Sequence, residues 1–344
     1  MRLPKKILVT LFGAALLAST NLVADSVSTD PVGYVTTTTP TGDDALIGLP
    51  LVRSVDFSGT ADSVSGVEVF VSATLVADAY NNTHYALATS GVNAGQWSEI
   101  AATTSGSITT ADLLLAATDT FDVIPFWTLS TAFPNGDGVG VSTVGTAPVA
   151  TVLLNNVQAV GTNLSAGAAY FYFSDGTNDG WYDSTTFSPS NDVKLTPDTY
   201  LTIRNNTGNS VSTVVTGSVP TNAVGSKIVR RSAGPQDSQM TNPYPAAITL
   251  GNSGLAAAIS ATTVATSPTD TILIFDAEST SGQNISVAAA YMYYEDGTND
   301  GWYDTTTFAL SNDVEIPAGG AFIVRTAAGS DEVITWNPPL PYTL

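Results

Sequence analysis

Asp175-Gly-Thr-Asn-Asp-Gly-Trp-Tyr-Asp183 occurs a second time, letter for letter, as Asp296-Gly-Thr-Asn-Asp-Gly-Trp-Tyr-Asp304. The longer stretches around these two loops, residues 151–204 and 272–325, align at a constant offset of 121 residues without a gap. Solenoid and propeller units repeat about every 20 to 50 residues. An offset this long therefore predicts a duplicated domain.

The apolar stretches of the chain are short, rich in Val, Ile, Thr, Tyr and Phe, and separated by Gly, Asn, Asp, Ser and Pro. This composition is typical of strands joined by turns. We predict an all-β fold with tandem duplicated β-sandwich or barrel-like modules. A diverged N-terminal module is expected before them, because Tyr85, the turn 91–97 with Trp97, and the segment 119–124 resemble the repeated aromatic strand, Gly-Trp turn and following strand.

The start of the chain predicts an export signal. Arg2, Lys5 and Lys6 are basic, and a mostly apolar run follows before small residues near Ala24. We expect an exported protein that is periplasmic, cell-surface or extracellular. The predicted domains are a signal peptide (1–24), the diverged N-terminal module (25–150), the first repeat module (151–270) and a shorter second repeat module (271–344).

Charge and cysteine content exclude several classes of protein. The formal net charge is −20, and nucleic-acid binding needs clustered Lys and Arg to contact phosphates, so no nucleic-acid partner is expected. No apolar stretch reaches the roughly 20 residues that a membrane helix needs, so no membrane span is predicted. The chain has 0 cysteines and must be stabilised without disulfides.

Each acidic loop places oxygen-bearing side chains at alternating positions beside a glycine, which is the spacing of a partial calcium loop. The alternative is a polar hairpin turn, because Asn, Asp and Gly are also the residues that tight turns need. In the calcium interpretation, with the Trp residues contributing backbone carbonyls, the ligands are Asp175, Thr177, Asp179, Trp181 and Asp183 in one copy and Asp296, Thr298, Asp300, Trp302 and Asp304 in the other.

The aromatic residues after each loop have two interpretations. They can pack in a β core, or they can stack on sugar rings as an exposed platform. The carbohydrate alternative uses Trp181, Tyr182, Trp302 and Tyr303.

Other polar residues do not identify a reaction. Arg204 and Arg325 end equivalent strands, and we expect each to pair with an acid, with Asp192 and Asp313 as the candidates. His84 is the only histidine, and no Gly-x-Ser-x-Gly elbow accompanies it. A secreted glycan hydrolase with two carboxylates stays a third hypothesis.

The chain resembles an uncharacterised family of exported proteins that occurs as expanded paralogous sets in Verrucomicrobia and relatives. The resemblance covers nearly the whole chain after the signal and implies no activity. It depends on the Gly-Trp turns and on Thr29–Tyr34, Leu49–Arg53, Ile124–Leu129, Gly161–Ser165, Arg204 and Arg325.

These observations together predict a non-catalytic exported structural protein of the cell surface or extracellular matrix. Calcium is the one cofactor that the sequence suggests. The partners that fit are a second copy of the chain or a surface glycan. The alternative function is carbohydrate binding by the aromatic residues at the loop exits.

Overall fold

The computed structural model describes residues 31–275 and 282–343. Strands account for 42% of the chain and helices for 4%, which confirms the all-β class. The predicted signal peptide lies outside the described residues. Between Pro31 and Thr128 the strands are β1 (Val32–Thr39), β2 (Asp44–Ile47), β3 (Phe57–Thr60), β4 (Ser63–Ser65), β5 (Glu68–Phe70), β6 (His84–Ala88), β7 (Trp97–Thr103), β8 (Ser107–Thr110), β9 (Thr120–Pro125) and β10 (Trp127–Thr128).

The remaining strands form the larger part of the chain. They are β11 (Val141–Ser142), β12 (Ala150–Asn155), β13 (Ala166–Phe173), β14 (Gly180–Asp183), β15 (Lys194–Leu195), β16 (Leu201–Asn205), β17 (Val211–Ser218), β18 (Ser226–Arg230), β19 (Gln236–Thr241), β20 (Ile248–Thr249), β21 (Thr271–Phe275), β22 (Val287–Tyr294), β23 (Gly301–Asp304), β24 (Glu315–Ile316), β25 (Ala321–Thr326) and β26 (Glu332–Trp336). The helical segments are α1 (Leu129–Ala132) and three 3₁₀ turns at Pro134–Gly136, Leu250–Asn252 and Leu255–Ala257.

Two sheets have the same strand order. Sheet I is β2-β16-β12-β13-β14, with β11 parallel to the end of β13. Sheet II is β19-β25-β21-β22-β23. Each sheet is accompanied by a two-stranded ribbon, β1 with β17 and β18 with β26, and by a short pair, β10 with β15 and β20 with β24.

The strand register corrects the gap-free sequence alignment by one residue. In sheet I Val152 lies opposite Tyr170, and in sheet II Ile272 lies opposite Tyr291. The first pair of strands therefore matches at an offset of 120 residues and the next at 121. Both Val152 and Ile272 are fully buried. Burial decides the register here because a shift of one residue would turn the apolar side chain to the other face of the sheet.

Sheet III is a seven-stranded sheet with the order β3-β9-β6-β7-β8-β5-β4. Its hairpin β6–β7 places Leu87 opposite Trp97, much as Tyr172 lies opposite Trp181 in sheet I. The correspondence ends there, because β9 pairs directly with β6, whereas β16 pairs with β12 and not with β13.

All strands of sheet III lie in the chain between β2 and β10. The strands at the same places in the sheet II half are β19 and β20, and only residues 242–247 connect them. Strand β2 pairs with β16, so hydrogen bonding joins residues 44–47 to sheet I although the predicted domain boundaries place them in the N-terminal module. Those boundaries stay predictions.

Separate apolar clusters form the cores. Fully buried Trp181 lies in the cluster of sheet I, with Phe133 and Ile203, and Trp302 lies in that of sheet II, with Phe322. Within the ranges that the structure describes, no helix has the length and apolar character needed to cross a membrane.

Candidate functional site

The first half of each acidic loop is an Asp-anchored turn. One carboxylate oxygen of Asp175 accepts the backbone N–H groups of Thr177 (2.9 Å) and Asn178 (2.7 Å), and the other accepts the Asn178 side-chain amide at 3.1 Å. Asp296 makes the same three contacts in the second copy, at 2.8, 2.7 and 3.1 Å. Gly176 has φ +80°, a left-handed conformation that favours glycine and fixes this turn.

A second turn that an acid caps follows strand β14 in the first copy and β23 in the second. Asp183 accepts the backbone N–H groups of Thr185 (2.8 Å) and Thr186 (2.7 Å), and the N–H of Phe187 donates to the Asp183 carbonyl at 2.9 Å. Phe187 then adopts φ 55°, and Phe308 adopts φ 56° at the equivalent place. A bulky residue in this region is strained, so the turn is maintained in both copies despite a local cost.

These hydrogen bonds shift the titration of the loop acids. The N–H of Asn178 lowers the pKa of the Asp175 carboxyl, and the N–H of Asn299 does the same for Asp296. The N–H of Thr186 lowers the pKa of Asp183. Hydrogen bonds to an ionised carboxylate favour its charged form, so the loops are built to keep these acids negative.

The loop carboxylates are engaged by their own turns. One oxygen of Asp179 accepts the hydroxyl of Ser174 at 2.7 Å, in addition to the contacts of Asp175 and Asp183. Within residues 31–275 and 282–343, no group of three or more His, Cys, Asp or Glu side chains is close enough together to hold a metal ion. The geometry thus accounts for the acids as turn formers, and calcium binding stays a prediction.

The two repeated tryptophans are core residues. Trp181 and Trp302 are 0% and 1% exposed. Their backbone N–H groups donate to the side-chain oxygens of Asn191 and Asn312, at 2.9 Å in both copies. A buried indole cannot stack on a sugar, so the carbohydrate interpretation loses both tryptophans and keeps only the partly exposed Tyr182 and Tyr303.

Each loop nevertheless presents an aromatic pair at the surface. Tyr182 and Phe187 are stacked with ring centroids 4.8 Å apart, and so are Tyr303 and Phe308. Phe187 and Phe308 are 46% and 42% exposed. Stacking against the tyrosine ring offsets part of the strain of the left-handed Phe.

Arg204 and Arg325 each form a bidentate ion pair that a third residue, an Asn, completes. Arg204 donates from Nε and Nη2 to the two oxygens of Asp44, each at 2.8 Å, and from Nη2 to the side-chain oxygen of Asn284 at 2.9 Å. The N–H of Asn284 donates to Asp44 at 2.7 Å. The predicted partner Asp192 is therefore wrong; the acid comes from the neighbouring strand β2, 160 residues away.

The second cluster has the same contacts, but its Arg and Asp lie on sheet II and its Asn comes from the connection after β12 of sheet I. Arg325 donates to the two oxygens of Asp237 at 2.7 and 2.9 Å and to Asn163 at 3.0 Å, and the N–H of Asn163 donates to Asp237 at 2.7 Å. Asp237, not the predicted Asp313, is the partner. We call these two sets the crossed Arg-Asp-Asn clusters.

Each crossed cluster joins the two sheets. Asn163 follows β12 of sheet I and completes a cluster on sheet II, whereas Asn284 precedes β22 of sheet II and completes a cluster on sheet I. Both Asn residues have positive φ, 55° and 65°, which Asn tolerates better than most residues. Each sheet therefore receives an Asn from a connection of the other sheet. The hydrogen bonds to the acids raise the pKa of both arginines.

His84 begins β6, an inner strand of sheet III, and lies between two oxygen atoms. Its Nε2 is 2.9 Å from an Asp56 carboxylate oxygen, and its Nδ1 is 2.8 Å from the hydroxyl of Thr83. The Asp56 side chain is 49% exposed. The contact joins the start of β6 to the residue before β3, across the strand β9 that lies between them.

Sequence reasoning missed Asp44, Asp237, Asn191 and Asn312. The last two carried a signal, since Ser-Asn-Asp-Val is present in both copies, at 190–193 and 311–314. The two aspartates carried none, because they lie outside the aligned stretches. No family model, curated protein or solved structure matches this chain.

Proposed function

We propose that this chain is a non-catalytic exported protein of the cell surface or extracellular matrix, built from duplicated β modules that are joined as one rigid unit. The crossed Arg-Asp-Asn clusters carry the proposal. They use two of the few basic residues, and two buried acids, to join the sheets rather than to face a ligand.

The placement of the other charges supports the same conclusion. Lys194 pairs with Glu99, Lys227 with Asp112, and Arg230 with Asp270 and Glu332. These ion pairs join separate parts of the chain, as the crossed clusters do. A rigid, acidic and cysteine-free exported protein fits a structural role outside the cytoplasm.

Cell fractionation tests the location. We expect an antibody against the chain to detect it in the surface or extracellular fraction of producing cells, trimmed near residue 24. Detection only in the cytoplasm would refute export. Hydrolysis of a panel of nitrophenyl glycosides by the purified chain, lost on neutralising one pair of acids, would refute the non-catalytic role.

Calcium stabilisation is part of this proposal and has its own test. Extracellular calcium sites bind at about 0.1 to 1 mM, so millimolar calcium should raise the thermal midpoint and excess chelator should reverse the rise. Asp183→Asn with Asp304→Asn should remove the response. An unchanged midpoint in calcium would end the calcium hypothesis and leave the structural role intact.

Carbohydrate binding stays the second candidate, and the exposed ring pairs favour it. Tyr182 with Phe187 and Tyr303 with Phe308 present two copies of a stacked aromatic surface. A glycan-array signal that Phe187→Ala and Phe308→Ala both reduce would support this function. An array signal that both variants leave unchanged, or no signal at all, would reject these rings as a sugar platform.

A further inference from the structure

A cavity of about 340 Å³ lies where sheet III meets the parts of the chain that carry sheets I and II. Its walls include Trp97 next to the hairpin turn of sheet III, the connection after β12, the segment 196–199, and strands β18 and β19. Pockets for small ligands in proteins usually measure about 300 to 1,000 Å³. The space suits one sugar-sized molecule.

The cavity walls are held in place from several directions. Gln236 donates to the carbonyl of Ala159 at 3.0 Å and accepts the N–H of Gly161 at 2.9 Å. Thr199 donates to the carbonyl of Gln239 at 3.0 Å. The indole N–H of Trp97 donates to the carbonyl of Gly225 at 3.1 Å, which ties sheet III to the chain before β18. Such a cavity is formed before any ligand arrives, which lowers the entropic cost of binding.

Arg231 lines this cavity and has no direct ion pair within the described residues, although its charge interacts with that of Asp331 at longer range. Of the seven Lys and Arg residues in the described part of the chain, five form ion pairs, and Arg53 and Arg231 do not. The buried Nε of Arg231 also has no hydrogen-bond partner within the described residues. Because that nitrogen has almost no accessible surface, a ligand in the cavity would meet the outer Nη edge of the guanidinium, which matches a carboxylate in two parallel hydrogen bonds.

An acidic residue and amide side chains line the same cavity as the Arg231 cation. The carboxyl of Asp198 accepts hydrogen bonds from the Thr196 side chain and the Lys227 backbone, and burial raises its pKa. Asn156 and Gln239 add amide groups, and Trp97 with Val229 adds apolar surface. Hydroxyl-bearing ligands suit this mixture of amides, an acid and a flat apolar wall.

We propose that this cavity binds a carboxylated sugar, a hexuronate unit, with its carboxylate on Arg231 and its hydroxyl groups on the amide side chains and Asp198. This proposal does not depend on the proposed structural role, because a structural surface protein keeps that role whether or not its cavity binds a sugar. The positive charge of Arg231 discriminates a uronate from a neutral hexose.

Isothermal titration of the full chain with sodium glucuronate, sodium galacturonate, glucose and sodium acetate tests the proposal. At least one uronate should bind roughly ten-fold or more tightly than glucose and acetate, the ratio expected for one charge-assisted hydrogen bond and the sugar contacts together. Acetate binding as tightly as the uronates, or no uronate binding, overturns the proposal.

Variants locate the site. Arg231→Gln should weaken uronate binding roughly ten-fold or more, whereas Arg231→Lys should have a smaller effect because it keeps the charge and loses the fork. Arg53→Gln is the matched control, since Arg53 is the other described cation without an ion pair, and it should bind as the parent does. Circular dichroism confirms that each variant is folded. Uronate binding that Arg231→Gln leaves unchanged places the ligand elsewhere and overturns the assignment.

Discussion

Replacing Arg325 by Gln tests whether the crossed clusters hold the two sheets together. Asp237 has a fully buried side chain, and its carboxylate accepts two hydrogen bonds from Arg325 and one from the N–H of Asn163. Arg325→Gln leaves that buried charge with the single N–H donor. Gln is two bonds shorter than Arg and keeps Cβ and Cγ, so the variant removes the guanidinium with little loss of apolar packing.

The expected loss follows from the burial of the pair. Removing one partner of a buried ion pair costs about 3 to 5 kcal/mol, because the remaining charge is left uncompensated. The Arg325 side chain is itself 31% exposed, so water can reach the vacated space. We therefore expect a loss near the lower limit, about 3 kcal/mol of unfolding free energy.

Urea unfolding followed by tryptophan fluorescence measures the loss, and two controls accompany it. Arg204→Gln should cost about the same, because its cluster repeats every contact of the first. Lys227→Gln should cost about 1 kcal/mol or less, since both partners of the Lys227–Asp112 pair are exposed, at 40% and 58%.

The double variant Arg325→Gln, Asp237→Asn measures the interaction energy between the two side chains apart from the effects of each single substitution. Removing both charges should restore part of the stability, with a coupling energy of about 1 kcal/mol or more. A loss for Arg325→Gln no greater than that for Lys227→Gln, or an Arg204→Gln effect that differs from it by more than about 2 kcal/mol, would refute the reciprocal joint.

Three further predictions concern the core, the loops and the contact between the sheets. Trp302→Ala should cost about 3 to 5 kcal/mol in urea unfolding, while Tyr303→Ala, on the partly exposed face, should cost at least about 1 kcal/mol less; equal losses would contradict the core assignment. The folded protein lowers the pKa of Asp175, so the stabilisation from this carboxylate is present above its ordinary pKa of 3.8 and disappears as pH falls through the lower folded value. Asp175→Asn should therefore flatten the fall in thermal midpoint between about pH 4 and pH 2. An unaltered pH profile of the midpoint would contradict this. Gly48→Ala should destabilise by about 2 kcal/mol, because its Cβ would lie 2.7 Å from the Gly319 carbonyl and even closer to the Thr241 hydroxyl; Thr241→Ala in the same chain should recover part of the loss, and no recovery would place the clash elsewhere.

Strand-forming composition and the repeated loop were readable from the sequence because both depend on local chemistry. Alternating apolar residues bounded by Gly, Asn and Asp specify strands and turns whatever the surroundings. The sequence of the acidic loop fits either a turn or an ion site, since an aspartate that accepts the backbone N–H groups two and three residues later has the same spacing as one that binds calcium. Only the positions of the side chains distinguish the two.

The tryptophans show where local reasoning stops. The local sequence around Trp181 and Trp302 fits a buried indole and an exposed indole equally well. Burial depends on residues distant in the chain that cover the ring, such as Phe133, whose carbonyl accepts the Trp181 indole N–H at 3.2 Å. The partners of the arginines were missed for the same reason. Arg204 was expected to meet an acid near in sequence, and it meets Asp44 on the adjacent strand β2, 160 residues away in the chain.

The sequence by itself determined the all-β class, the paired loops with their turns, and the need of each arginine for an acid. The tertiary structure alone decided which acid, the one-residue shift in the first repeated strand, the placement of sheet III between β2 and β10, and the cavity beside Arg231. Propensity and turn chemistry act over a few neighbouring residues, so a sequence displays them directly. Ion pairs, strand registers and cavities join residues that are distant in the chain, and their free energy exists only when the sheets are packed together.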